Sequence, residues 1–161
     1  MNAMNARPTV YDRKPVAKPW SLLLEAREHD PFACLGPARE ERGWRIRVFR
    51  PDASAIALES GRGALAFERV DPGGVFEWHG EELPGEPYIL QVSANGMTER
   101  APDPYAFPPA ATSHDLYLFS EGRNYQAHRL LGARLESRRG VGGACFRVWA
   151  PNAERVSVVG E

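Results

Sequence analysis

The sequence predicts a mainly β fold: an immunoglobulin-like β-sandwich, a short helical connector, and the first strands of a second, incomplete β-sandwich. Three observations predict it. Short runs of alternating apolar residues recur roughly every 8–12 residues from position 43 to about 107. The 15 Gly and 14 Pro make up about 18% of the chain, as expected of many short strands joined by turns. Finally, the segment Arg47-Val48-Phe49-Arg50-Pro51-Asp52-Ala53-Ser54-Ala55-Ile56-Ala57-Leu58 returns 100 residues later as Arg147-Val148-Trp149-Ala150-Pro151-Asn152-Ala153-Glu154-Arg155-Val156-Ser157-Val158. Apolar residues keep the same phase in both copies, so each reads as a strand, a Pro-Asx corner and a second strand.

The elements follow in order. Residues 1–19 hold Asn, Pro and charge without periodicity and read as a disordered tail. Residues 20–42 read as a short helix and connector. Ser21 is placed to cap a helix running to about Glu28, with Leu22, Leu23 and Ala26 on one face. Asp30-Pro31 ends it, because a residue before proline avoids the helical region. The sandwich module is expected over 43–107. Trp44, Ile46 and Val48 alternate with Arg45, Arg47 and Phe49 as a half-buried strand. Ile56 and Leu58 continue beyond the Pro51-Asp52 corner, and Leu65 to Val70 forms a third strand. Val75, Phe76 and Trp78 follow the Asp71-Pro72-Gly73-Gly74 turn. Tyr88, Leu90 and Val92 pair with Thr98 and Arg100 across Asn95-Gly96, the strongest hairpin signal in the chain. Residues 108–142 read as a proline-rich and helical connector, with Asp115 capping 116–119 and a second helical stretch over 125–131. Residues 143–161 open the second sandwich. Two strands do not close a sandwich, which implies the front part of a longer protein.

Charge and composition exclude several classes. The 20 basic residues, 18 of them Arg, balance 21 acidic ones. This argues against a nucleic-acid footprint and against a basic membrane patch. No apolar run is long enough for a bilayer span or a signal peptide, so a cytoplasmic location is expected. Cys34 and Cys145 lie far apart and read as reduced, small apolar residues. His29, His79, His114 and His128 lack ligand spacing, and Glu40/Glu41 and Glu81/Glu82 read as solvated turns. No catalytic residue, metal ligand or cofactor is assigned.

Several motifs carry a family resemblance. Asp30-Pro31-Phe32-Ala33-Cys34-Leu35-Gly36-Pro37 opens the series. Asp103-Pro104-Tyr105-Ala106-Phe107, Asp115-Leu116-Tyr117-Leu118-Phe119-Ser120-Glu121-Gly122 and Leu131-Gly132-Ala133 follow. Phe146 to Ala153 and Val156 to Gly160 complete it. Over roughly residues 20–161 the chain resembles the amino-terminal region of bacterial glycogen branching enzymes (1,4-α-glucan branching enzymes). Ala38, Asn124 and Arg134 depart from it, standing where the family favours His.

The resemblance implies an amino-terminal β-sandwich module followed by a carbohydrate-binding-type sandwich. A catalytic (β/α)8 barrel follows in cis and carries the acids of a retaining glycosyltransferase. It implies a non-catalytic role here: binding or positioning α-glucan, as glycogen or maltooligosaccharide, with no nucleic-acid or membrane partner. Sugar rings stack on aromatic faces, so the candidate glucan-contact residues are Trp78, Trp44, Tyr88 and Trp149. Trp78, beside Glu77 and His79 near a turn, leads them. Two alternatives stay open: a stand-alone carbohydrate-binding or interaction module, and a nonfunctional truncated remnant.

Overall fold

The computed structural model describes residues 18–107 and 111–159. The expected tail lies almost wholly outside the described residues. Among the described residues ten strands form three antiparallel sheets. β1 (Gly36–Glu40), β2 (Gly43–Phe49), β6 (Val75–Gly80) and β5 (Glu68–Asp71) make the first, in the order β1-β2-β6-β5. β3 (Ala53–Ser60), β4 (Gly63–Ala66), β7 (Ile89–Ala94) and β8 (Met97–Pro102) make the second, in the order β4-β3-β7-β8. β9 (Gly132–Arg138) and β10 (Val141–Arg147) form a separate hairpin.

The two four-stranded sheets pack face to face, and the alternating residues read from the sequence form the core. Ile46 and Val48 from β2 and Phe76 and Trp78 from β6 meet Ile56 and Leu58 from β3 and Leu90 and Val92 from β7. Ile46, Leu58 and Phe76 are among the most deeply buried side chains. At roughly 25 cal/mol per Å² of apolar surface, this cluster is the main stabilising term of the sandwich.

The turns follow local chemistry. Asn95 and Gly96 have φ of 52° and 77°, the two left-handed residues that a type I′ hairpin needs. Gly74 (φ 100°) closes the β5–β6 turn directly against the β2–β3 corner, where a Cβ would collide with Pro51. Helix α1 (Ser21–Leu24) is shorter than expected. Ala26 enters the left-handed region at φ 54°, and the N–H groups of Ala26 and Arg27 close onto the carbonyls of Leu23 and Leu22. That is a Schellman stop, made here without glycine.

The outer face of the first sheet differs from a plain solvent-facing strand. Arg47 is only 6% exposed. Its guanidinium donates to Glu77 at 2.6 Å and to the Cys34 carbonyl at 3.1 Å, and it stacks on the Trp20 ring 4.7 Å away. Residues ahead of β1 fold back over this face. Trp20, Cys34 and Val75 form a second apolar cluster with Leu23, Phe49 and Val70. Asp71 anchors the return: its carboxylate accepts from Lys18 Nζ (2.7 Å), Trp20 Nε1 (3.1 Å) and the Gly73 N–H (2.9 Å). Lys18, the Gly73 N–H and the Trp20 indole together hold the Asp71 carboxyl down to about 2.

Two segments assigned to connectors are strands. Residues 36–40 form β1 and pair with β2, and residues 132–138 form β9 and pair with β10. Each is one arm of a tight hairpin, with Glu40 opposite Gly43 and Arg138 opposite Val141, so pairing with the next segment of chain overrides the weak pattern of both.

The internal repeat survives at its corner. The Ala53 N–H donates to the Arg50 carbonyl at 3.2 Å, and the Ala153 N–H donates to the Ala150 carbonyl at 3.1 Å. Beyond the corner the copies diverge. The first continues as β3, whereas Val156-Ser157-Val158 forms no strand. Among the described residues no neighbouring strand offers it a ladder, and a strand without one leaves its backbone groups to water.

Candidate functional site

The connector carries the site. Helix α2 (Ser113–Ser120) starts with a capping box: Thr112 Oγ1 accepts from the Asp115 N–H at 3.1 Å, and the Asp115 carboxylate accepts from the Thr112 N–H at 3.0 Å. Thr112 is therefore the cap, and Asp115, expected in that role, is the third helical residue. Gly122 (φ 67°) stops the helix, with the Gly122 and Arg123 N–H groups bonded to the carbonyls of Phe119 and Leu118. The chain reverses and enters α3 (Ala127–Leu130), where 125–131 had been expected to be helical.

This reversal sets Phe119 and Asn124 beside Trp149, which follows β10. The Trp149 ring meets Phe119 edge to face, with centroids 5.1 Å apart and planes at 70°. Trp149 stays 64% exposed. Together with Ser120, Gly122, Asn124 and Ala127 the two rings line a shallow cavity of about 380 Å³. The Asn124 amide is fixed by its bonds to the Asp115 carbonyl (3.5 Å) and the Gln126 N–H (3.1 Å). An open indole on an aromatic support, bordered by an amide and a hydroxyl, suits the face and edge of a sugar ring.

The other three candidate aromatics are grouped elsewhere. Trp78 is 9% exposed and Tyr88 3% exposed, and both belong to the sandwich core, with Trp44 packed against it. The Trp78 ring lies over Gly80, where a Cβ would collide with it. The Tyr88 hydroxyl donates to the buried Asp103 carboxyl at 2.5 Å. Burial pushes both groups up, and for Asp103 the bonds from Tyr88 and the Tyr105 N–H oppose that rise. The ring faces of Trp78 and Tyr88 are covered by protein, which corrects their expected role as sugar contacts: alternation put them on the inner face. Trp44 is half-buried beneath the Arg39 guanidinium, 5.5 Å from its ring centre.

The sequence reading missed Phe119 and Asn124, because it took 116–131 as interrupted helix. The available signal was the polar–aromatic triplet Asn124-Tyr125-Gln126 directly after Gly122-Arg123. Both cysteines are free, with Cys34 buried. Among the described residues no three His, Cys, Asp or Glu side chains converge as a metal site. No helix among them is long and apolar enough to cross a membrane.

Residues 18–105 match the family model of the alpha-1,4-glucan branching enzyme GlgB N-terminal domain. The chain belongs to that family. It is 45% identical to a 1,4-alpha-glucan branching enzyme of Nitrosospira multiformis, over 98% of this chain and 22% of that protein. It is 48% identical to the branching enzyme of Nitrosomonas europaea, over 88% of this chain and 19% of that one. It thus spans about a fifth of the length of these relatives. Among solved structures, a pullulanase from Bacillus acidopullulyticus is 27% identical over 42% of this chain and 9% of its own, at a TM-score of 0.34.

Proposed function

We propose that this chain is the non-catalytic amino-terminal region of a cytoplasmic 1,4-α-glucan branching enzyme. In this reading a barrel in cis transfers an α-1,4-glucan segment to a 6-hydroxyl, and this region holds the glucan. The match of residues 18–105 to the branching-enzyme amino-terminal domain supports the enzyme class. The observation that carries the glucan role is the open Trp149 ring braced on Phe119 beside Asn124. Binding energy gained remote from the reacting bond orients the chain that reacts. The region contributes grip and alignment, and chemistry belongs to the barrel.

Affinity electrophoresis in gels containing glycogen tests the glucan role. The chain is expected to be retarded in proportion to glycogen concentration. Trp149→Ala is expected to weaken binding about three- to tenfold, on the scale of one stacking contact of roughly 0.5–1.5 kcal/mol. Unretarded migration of the wild-type chain would overturn the glucan role, and equal retardation of the variant would remove Trp149 from it.

A further inference from the structure

A second cleft, of about 400 Å³, opens on the other side of the connector. Its polar lining is Asp115, Arg123, Tyr125, Gln126, Arg129 and Arg147, and it shares Asn124 with the Trp149 shelf. Three guanidiniums face one carboxylate. One oxygen of that carboxylate is already occupied: Asp115 Oδ2 accepts from both the N–H and the hydroxyl of Thr112, the latter at 2.6 Å, which leaves Oδ1 as the carboxylate's one open acceptor. Arg147 is tied to the Leu130 carbonyl at 3.1 Å and reaches Glu136 at 3.5 Å, which fixes it as one wall. Arg129 keeps one nitrogen on the Gln126 side-chain oxygen at 3.1 Å. Among the described residues the Arg123 guanidinium makes no hydrogen bond. Donors therefore outnumber free acceptors in a concave site with net positive charge.

The geometry points to a binding site for a phosphate monoester carried on a sugar, held chiefly by Arg123 and Arg129 with Arg147 behind them. A tetrahedral oxyanion presents several acceptors to converging guanidiniums, and charge-assisted bonds of this kind are about twice as strong as neutral ones. A neutral glucan supplies hydroxyls but no charge to balance the cleft. The volume lies within the roughly 300–1,000 Å³ of small-ligand sites. The Schellman stop at Gly122 and the capping box at Thr112 place the participating residues on well-defined backbone rather than on a loose loop. The site stands apart from the glucan reading, because the shelf can hold sugar without it.

Calorimetric titration of the whole 161-residue chain at low salt tests the proposal. The probes are inorganic phosphate, glucose 6-phosphate, a 6-phosphorylated maltotetraose and plain maltotetraose. Saturable binding is expected for at least one sugar-borne phosphate, weakening as salt rises. Arg123→Gln with Arg129→Gln is expected to weaken it at least about tenfold, while Arg155→Gln, outside the cleft lining, leaves glucose 6-phosphate binding unchanged. Glucose 6-phosphate binding as well as the phosphorylated glucan assigns a free sugar phosphate; preference for the latter assigns a phosphorylated chain. Both arginines are exposed, and circular dichroism checks that the double variant keeps its fold. No saturable phosphate binding, affinity for plain maltotetraose that falls as much in the double variant as affinity for the phosphorylated one, or unchanged phosphate affinity in the double variant would each overturn the proposal.

Discussion

Replacing Tyr88 with Phe removes one oxygen from the sandwich core and leaves the ring in place. Tyr88 is 3% exposed and Asp103 2% exposed, so water does not replace the lost bond. Asp103 keeps the Tyr105 N–H at 3.0 Å and loses the hydroxyl at 2.5 Å. The lost bond ends on a carboxyl group that is ionised at neutral pH in the unfolded chain. Hydrogen bonds to charged groups contribute about 1.5–3 kcal/mol, and an unsatisfied buried acceptor costs on the same scale. We expect Tyr88→Phe to destabilise the chain by about 2 kcal/mol at pH 7. With a urea m-value of roughly 1–3 kcal/mol per M, the midpoint falls by about 1 M.

The pH dependence carries a second signature. Burial raises the Asp103 carboxyl above its unfolded value, so its contribution to stability falls as pH rises from that value towards the folded one. The Tyr88 hydroxyl limits the rise, and removing it extends the window of loss upward. The variant should therefore lose more at pH 7 than at pH 4, where more of the carboxyl is neutral and its bond is weaker. Urea unfolding followed by tryptophan fluorescence at both pH values reads this. A cost below about 0.5 kcal/mol at pH 7, the range of ordinary surface substitutions, or an equal cost at both pH values would refute the reasoning.

Two further outcomes are expected. Gly74→Ala must hold φ near 100° and push its Cβ into Pro51, so the β5–β6 turn and the β2–β3 corner shift apart. A loss of about 2 kcal/mol or more, read as a lowered Tm, follows from strain plus overpacking. In Asp71→Asn the link from Lys18 to the sandwich loses its charge. The wild-type carboxyl is held down to about 2, so its contribution is present above the unfolded value near 3.8 and disappears as pH falls towards 2. The Tm gap between wild type and variant should be widest near neutrality and close between about pH 4 and pH 2; a gap independent of pH would contradict the link.

How much of this molecule was legible in the chain depended on whether the deciding physics was local. The sandwich core was legible because each strand carries its own period of two: Ile46/Val48, Ile56/Leu58, Phe76/Trp78 and Leu90/Val92. The Asn95-Gly96 hairpin was legible because two left-handed residues in sequence leave few other options. The Pro-Asx corner declared itself twice, and both copies make the same backbone bond.

Residues whose structure depends on a distant partner were not legible. Nor were residues 36–40 and 132–138, which have little alternation of their own and became strands by pairing with the adjacent β2 and β10 across two-residue turns. Arg47 reads as solvent-facing, yet Trp20, Cys34 and Glu77 bury it from three separate parts of the chain. Of the four candidate aromatics, the sequence could mark all as ring faces on or near strands. It could not tell that Trp78 and Tyr88 lie in the core between the two sheets while Trp149 stands open against Phe119.

The β class, the strand repeat, the strongest hairpin turn and the family are all written in the linear chain. Those rest on periodicity, turn chemistry and motif order, all of which are properties of neighbouring residues. Only the tertiary structure decided which aromatic ring meets solvent and which arginines share a cleft. Exposure is set by what packs over a residue, and what packs over it comes from elsewhere in the chain.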